Sequence, residues 1–117
     1  MPDVALQLNW TPGVGGPPLS RAPDGQRIFV YYRDVRQPQH DFDVQEGVDN
    51  AMFYAPAGGK WTFKIKSKCE GEFSAGSAIE SFIVDGVFAD PGQGGDPVPD
   101  GVSDIPPPEG LSISLGA

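Results

Sequence analysis

Residues 60–68 read Lys60-Trp61-Thr62-Phe63-Lys64-Ile65-Lys66-Ser67-Lys68. Side chains on a strand alternate between faces, so Trp61, Phe63 and Ile65 point one way and Lys60, Lys64, Lys66 and Lys68 the other. On a helix these lysines would be scattered around the circumference. The period of two therefore predicts a half-buried antiparallel strand, with one face for a core and the other for water or an acidic partner.

The same alternation recurs along the chain. Val4-Ala5-Leu6-Gln7-Leu8-Asn9-Trp10 places Val4, Leu6, Leu8 and Trp10 on one face and is stopped by Thr11-Pro12-Gly13. A loop rich in Gly and Pro, with Asp24-Gly25 as its turn, leads to Arg27–Arg33, where Ile28, Val30 and Tyr32 oppose Phe29, Tyr31 and Arg33. Phe42–Val44 and Ala51–Tyr54 are shorter candidates. After the lysine strand, Glu70-Gly71-Glu72 predicts a turn and Ala78–Val84 another strand. No stretch has a helical period. The expected core is Leu8, Trp10, Ile28, Val30, Tyr32, Trp61, Phe63, Ile65 and Phe82.

Composition changes the picture mainly towards the C-terminus. The 117 residues suit one small core, and 29 Gly and Pro residues suit short strands joined by tight turns. Residues 1–84 carry eight basic and ten acidic side chains, whereas residues 85–117 carry six acids and no base. Between Ala89 and Gly110, eleven of 22 residues are Gly or Pro. Such a stretch buries too little apolar surface to offset its ordering entropy and reads as a linker. Leu111-Ser112-Ile113-Ser114-Leu115 then alternates like a strand. An isolated strand is unstable in water, so this one is expected to join a sheet edge. The stiff Pro106-Pro107-Pro108 run and the mutual repulsion of the acids favour the edge of a neighbouring copy.

Four landmarks in order, Leu6-x-Leu8-x-Trp10-x-Pro12, Ile28-x-Val30-x-Tyr32-Arg33, Gly58-Gly59-Lys60-Trp61-x-Phe63-x-Ile65 and Gly76-Ser77-Ala78, resemble strands B, C, F and G of a fibronectin type III domain. Trp61 stands where the family usually has its tyrosine-corner aromatic. The resemblance covers about residues 4–86 and implies an all-β, immunoglobulin-like sandwich of about seven strands. On this reading residues 1–88 are the sandwich and residues 89–117 an extended acidic Gly/Pro-rich C-terminal arm ending in a short strand. The chain departs from the family in beginning almost at strand B, which leaves one edge without its usual cover and open to strand addition.

Candidate chemistry is sparse, and no catalytic, cofactor or metal residue is assigned. His40 sits in the polar loop Gln37-Pro38-Gln39-His40-Asp41 and reads as a solvated histidine, with no nucleophile elbow in view. One Cys and one His do not make a zinc site. Asp41, Asp43, Glu46 and Asp49 are close in sequence but lack the spacing of a calcium loop. Cys69 is in phase with the buried set and reads as a small apolar residue at the core rim. Lys68 beside it is the one feature that would favour a thiolate. With a single cysteine, stability comes from packing rather than a disulfide.

The outward face carries the expected partner contacts. Phe29, Tyr31 and Arg33 beside Lys64, Lys66 and Lys68 form an aromatic and cationic stripe of the kind found at interfaces. The acidic arm complements that stripe, and Leu111, Ile113 and Leu115 are its strand-forming contacts. The net charge of −8 argues against nucleic acid. No apolar run is long enough to span a bilayer, and the start Met1-Pro2-Asp3 lacks the features of a secretory signal. A small stand-alone domain of this type resembles virion components of tailed bacteriophages. The expectation is therefore a non-enzymatic structural protein of the tail, collar or capsid surface. It would be made in the host cytoplasm and would partner copies of itself and other virion proteins, without membrane or small-molecule substrate. The alternative is an extracellular carbohydrate- or protein-binding accessory module.

Overall fold

The structure, a computed structural model, describes residues 3–16 and 20–116. Among these residues there are nine strands: β1 (Val4–Thr11), β2 (Gly25–Tyr32), β3 (Val35–Arg36), β4 (Phe42–Gln45), β5 (Asn50–Ala55), β6 (Gly59–Cys69), β7 (Glu72–Phe73), β8 (Ala78–Val84) and β9 (Glu109–Leu115). A 3₁₀ turn spans Pro38–His40. All seven strands expected from alternation are present, and the two-residue β3 and β7 are additional.

Two antiparallel sheets pack as a sandwich. One has the order β5-β1-β9; in the other, β2 lies between β6 on one side and β3 and β4 on the other, and β6 also pairs with β7 and β8. The lysine strand β6 is thus central. The expected turn at residues 70–72 is tighter than read. Glu70 and Gly71 both take positive φ, 52° and 82°, so Glu72 already pairs back to Cys69.

The core sits where the inward phases meet. Ile28 opposes Ile65, Val30 opposes Phe63, and Tyr32 opposes Trp61 across the β2–β6 ladder. From the other sheet come Leu6, Leu8, Trp10 and Phe53, all buried. Phe53 bridges the layers, its ring centroid 5.2 Å from Trp61 and 5.0 Å from Phe63. Burial of each such side chain is worth about 1.5–3 kcal/mol. Trp10 donates its indole N–H to Gln26 Oε1 at 2.5 Å, so the one polar atom it brings inside is satisfied. Phe82 is only half-buried, because β8 lies at the rim of its sheet.

Residues 89–108, expected as a linker, lie against the six-stranded sheet. Side chains of the sheet capture their backbone carbonyls: Arg33 donates to Ala89 O (2.9 Å), Gln37 to Pro91 O (2.7 Å) and Arg36 to Asp96 O (3.1 Å). Further along, Ala75 N–H donates to Val102 O (2.8 Å) and Val102 N–H to Phe73 O (2.7 Å), Arg21 grips Asp104, and Ile105 and Pro108 are buried. Residues 89–100 are held through these captured carbonyls, and Ile105 and Pro108 add buried apolar contact further along.

The C-terminal strand does not reach for a neighbour in this structure. β9 pairs antiparallel with β1 of its own chain, Ile113 opposite Leu8 and Leu115 opposite Leu6, and Gly116 N–H donates to Ala5 O at 2.8 Å. A tethered strand meets its own edge at high effective concentration, and the docked arm shortens the tether further.

Candidate interaction surfaces

The outward residues of β2 build a ladder of rings and guanidinium groups. Phe29 meets Phe73 edge to face at 5.6 Å, and the Arg27 guanidinium lies 5.1 Å from the Phe73 ring. Arg36 lies 5.6 Å from the Phe29 ring and 5.5 Å from Tyr31, while Arg33 lies 5.1 Å from Phe88. Each such contact is worth about 0.5–1 kcal/mol at the surface. Arg36 is fixed by a two-pronged bond to Asp41 (2.9 and 2.7 Å), whose carboxylate also accepts the Val30 N–H. That bond raises the Arg36 pKa further above its ordinary value. Arg36 and Phe73 were not legible in the sequence, because two-residue strands carry no periodicity.

The expected lysine stripe is divided by the arm. Lys66 is only 2 % exposed. Its ammonium donates to the carbonyls of Ser74 (3.0 Å), Ala75 (3.3 Å) and Asp100 (3.0 Å). Burial lowers its pKa, the nearby Lys64 charge adds to the effect, and Asp100 opposes it. Phe29 is likewise covered. Lys68 sits 3.3 Å from Asp43. Asp43 also takes two bonds from Arg27, and these hold its carboxyl below the usual carboxylate range. Of the six residues expected on an open face, Tyr31, Arg33 and Lys64 remain most available. Tyr31 and Lys64 line a shallow hollow of about 260 Å³ with Asp34, Thr62 and Ile79.

The three arm residues also divide. Leu111 is buried in the core and Ile113 packs against it, so both are committed to the chain's own sandwich, whereas Leu115 is 65 % exposed. An unexpected apolar feature lies on β8. Ile79 and Ile83 point away from the core and are 55 % and 70 % exposed. The signal was present in the sequence, since Ala78–Val84 has apolar residues in both phases and one of them had to face out.

His40 is not a freely solvated loop residue. Its ring meets the edges of Phe53 and Trp61, each at 5.7 Å. Cys69 is buried, and burial pushes its thiol pKa up. Asp41 and Asp43 are engaged by arginines, and no group of three or more His, Cys, Asp or Glu side chains is placed to hold a metal among the described residues. No family model, curated protein or solved structure matches the chain.

Proposed function

We propose that this protein is a non-enzymatic structural subunit of a tailed-phage particle, assembling beside copies of itself and other virion proteins. The observation that carries this reading is one flank of the sandwich. There β8 and β9 run close together, each lacks an outer neighbour among the described residues, and Ile79, Ile83 and Leu115 are exposed. Bare strand edges with apolar side chains favour addition of further chains. The fibronectin type III-like reading is supported by strand order. With β1, β2, β6 and β8 in the places of B, C, F and G, β9 takes the place of the family's first strand from the opposite end of the chain. The arm then acts as a strap that brings the closing strand home. The test is quantitative mass spectrometry of purified particles from the source culture. Many copies per particle are expected; absence from washed particles overturns the reading.

A second reading, a carbohydrate-binding module, is favoured by the outer face of the three-stranded sheet. Its outward residues on β1, β5 and β9 are Ala5, Gln7, Asn9 and Thr11, Asn50, Met52 and Tyr54, and Ser112 and Ser114, with a single charge, Glu109 opposite Thr11, at one end. Amide and hydroxyl groups beside the exposed Tyr54 ring suit an uncharged polyol. Glycan-array binding that Tyr54→Ala abolishes would favour this second reading.

A further inference from the structure

We infer that the free edge of β8 pairs with β8 of a second copy, antiparallel, about a twofold axis at Ser81. β8 is hydrogen-bonded to β6 along residues 78–84 and to nothing on its other side among the described residues. Natural edges are blunted by lysine, proline or a bulge. Ala78-Ile79-Glu80-Ser81-Phe82-Ile83-Val84 has no lysine or proline, and its pairing to β6 runs without a register shift.

The direction of the backbone groups fixes which residues would bond. The Ser81 N–H is taken by its neighbour's carboxylate, Glu80 Oε1, at 3.1 Å, so it points off the sheet rather than toward β6. With that phase, residues 79, 81 and 83 present their N–H and C=O groups at the free edge. In an antiparallel pair centred on Ser81, Ile79 meets Ile83 of the other copy, Ser81 meets Ser81, and Ile83 meets Ile79. All three positions then exchange hydrogen bonds. The outward side chains read Ile, Ser, Ile in both directions, which is the self-complementarity a twofold interface requires. The four isoleucines, more than half exposed in the single chain, become cross-strand pairs.

Charge selects a second copy in this register despite the net −8. Lys64 is the cross-strand neighbour of Ile79 on β6 and has no carboxylate within 4 Å among the described residues. Asp85, directly after β8, comes opposite Ser77 of the other copy, two residues from Ile79 and on the Lys64 side of the seam. Symmetry makes this attraction twice. Glu80 is the native guard of the edge, because its carboxylate occupies the Ser81 donor that a partner strand needs. A seam of one strand buries less than a standard interface of about 1,600 Å², so the pairing is weak and reversible in solution and gains strength where many copies are held together.

The test uses the full chain and does not depend on its belonging to a particle. Sedimentation equilibrium of the wild type should show a concentration-dependent dimer. Glu80→Ala should tighten it roughly threefold to tenfold by freeing the Ser81 donor. Ser81→Pro removes that donor and leaves the backbone ladder to β6 intact, losing only the side-chain bond between Ser81 Oγ and Thr62 Oγ1 (2.8 Å), and should leave a folded monomer; should it fail to fold, the exposed pair Ile79→Lys and Ile83→Lys gives the same readout. In a Cys69→Ser background, Ser81→Cys should oxidise to a disulfide-linked dimer, because opposed residues on paired strands bring Cα atoms to about 5.5 Å. A wild type that stays monomeric at every soluble concentration overturns the inference, as would be so if a strand of a different protein is the occupant. So does a Ser81→Cys chain that stays reduced, or an Ile79/Ile83 double variant that associates like the wild type.

Discussion

Lys66 Nζ lies 3.0 Å from the carbonyl oxygen of Asp100, so a lysine of the central strand reads the backbone of the acidic segment and not its carboxylate. The same ammonium serves Ser74 and Ala75, and its three donors are all used. This one side chain joins β6, the segment after β7 and the arm.

Replacing Lys66 with Met keeps the buried stem and removes the donors. The variant should lose about 1–3 kcal/mol in urea titrations, the usual cost of leaving buried carbonyls without their partner. Amide exchange should quicken at Ala75 and Val102, whose N–H groups tie the arm to the segment around β7. Lys64→Met, at a more open site, should stay within about 0.5 kcal/mol of the wild type. Equal effects from the two would remove the special role of Lys66.

Gly101 is held at φ +84°, and a Cβ there would stand 2.3 Å from Ser74 O and 2.5 Å from Phe73 O. Gly92 has a similar φ, +77°, with nothing within 4 Å. Gly92→Ala should cost about 1–2 kcal/mol from backbone strain alone. Gly101→Ala should cost clearly more and undock the arm, visible as faster exchange at Val102. Matching thermal midpoints for the two variants would show that the arm is not packed as closely as described.

Leu111 brings β9 into the core while Leu115 hangs at the rim. Leu111→Ala should destabilise by about 2–3 kcal/mol and Leu115→Ala by less than about 0.5 kcal/mol. Removing residues 109–117 should lower the denaturant midpoint further and promote aggregation, since it bares the edge of β1. A truncated chain with the wild-type midpoint would mean that β9 is dispensable to the sandwich.

Acid stability should report the arginine clamps. Hydrogen bonds from Arg27 and Arg21 lower the pKa values of Asp43 and Asp104 below the ordinary 3.8. The unfolded chain therefore binds these protons first, so the stability they supply is complete above pH 3.8 and is lost as pH falls through the lower folded values. Asp43→Asn should flatten the dependence of the urea midpoint on pH in that acid window. Lys66 has the same sense on the alkaline side: its folded pKa, too, lies below the unfolded value of 10.5, so stability should rise with pH through that window as it deprotonates, and Lys66→Met should abolish that rise.

Much of the fold was written in a period of two. Trp61, Phe63 and Ile65 against their lysines, and Leu6, Leu8 and Trp10 against their amides, are inward and outward as alternation requires, because a strand with one buried face leaves no other arrangement. The short strands β3 and β7 were not legible, since two residues cannot display a period. The candidate surfaces were only partly legible. Alternation placed Phe29 and Lys66 on the outer face, but not whether that face was open or covered.

What covers it is long-range. Arg33, Arg36, Gln37 and Lys66 capture carbonyls of residues 89–100 that lie from 34 to 60 positions away in the chain. A backbone carbonyl is offered by every residue, so no composition or spacing marks the ones that will be taken. The partner of β9 was equally hidden, because alternation specifies that a strand needs an edge but not whose. The sequence by itself determined the strands, their inward faces and the need for an edge partner. Only the tertiary structure decided that the Gly/Pro-rich arm lies down on its own sheet and delivers β9 to β1, because captured carbonyls and tether geometry exist only once the chain has folded.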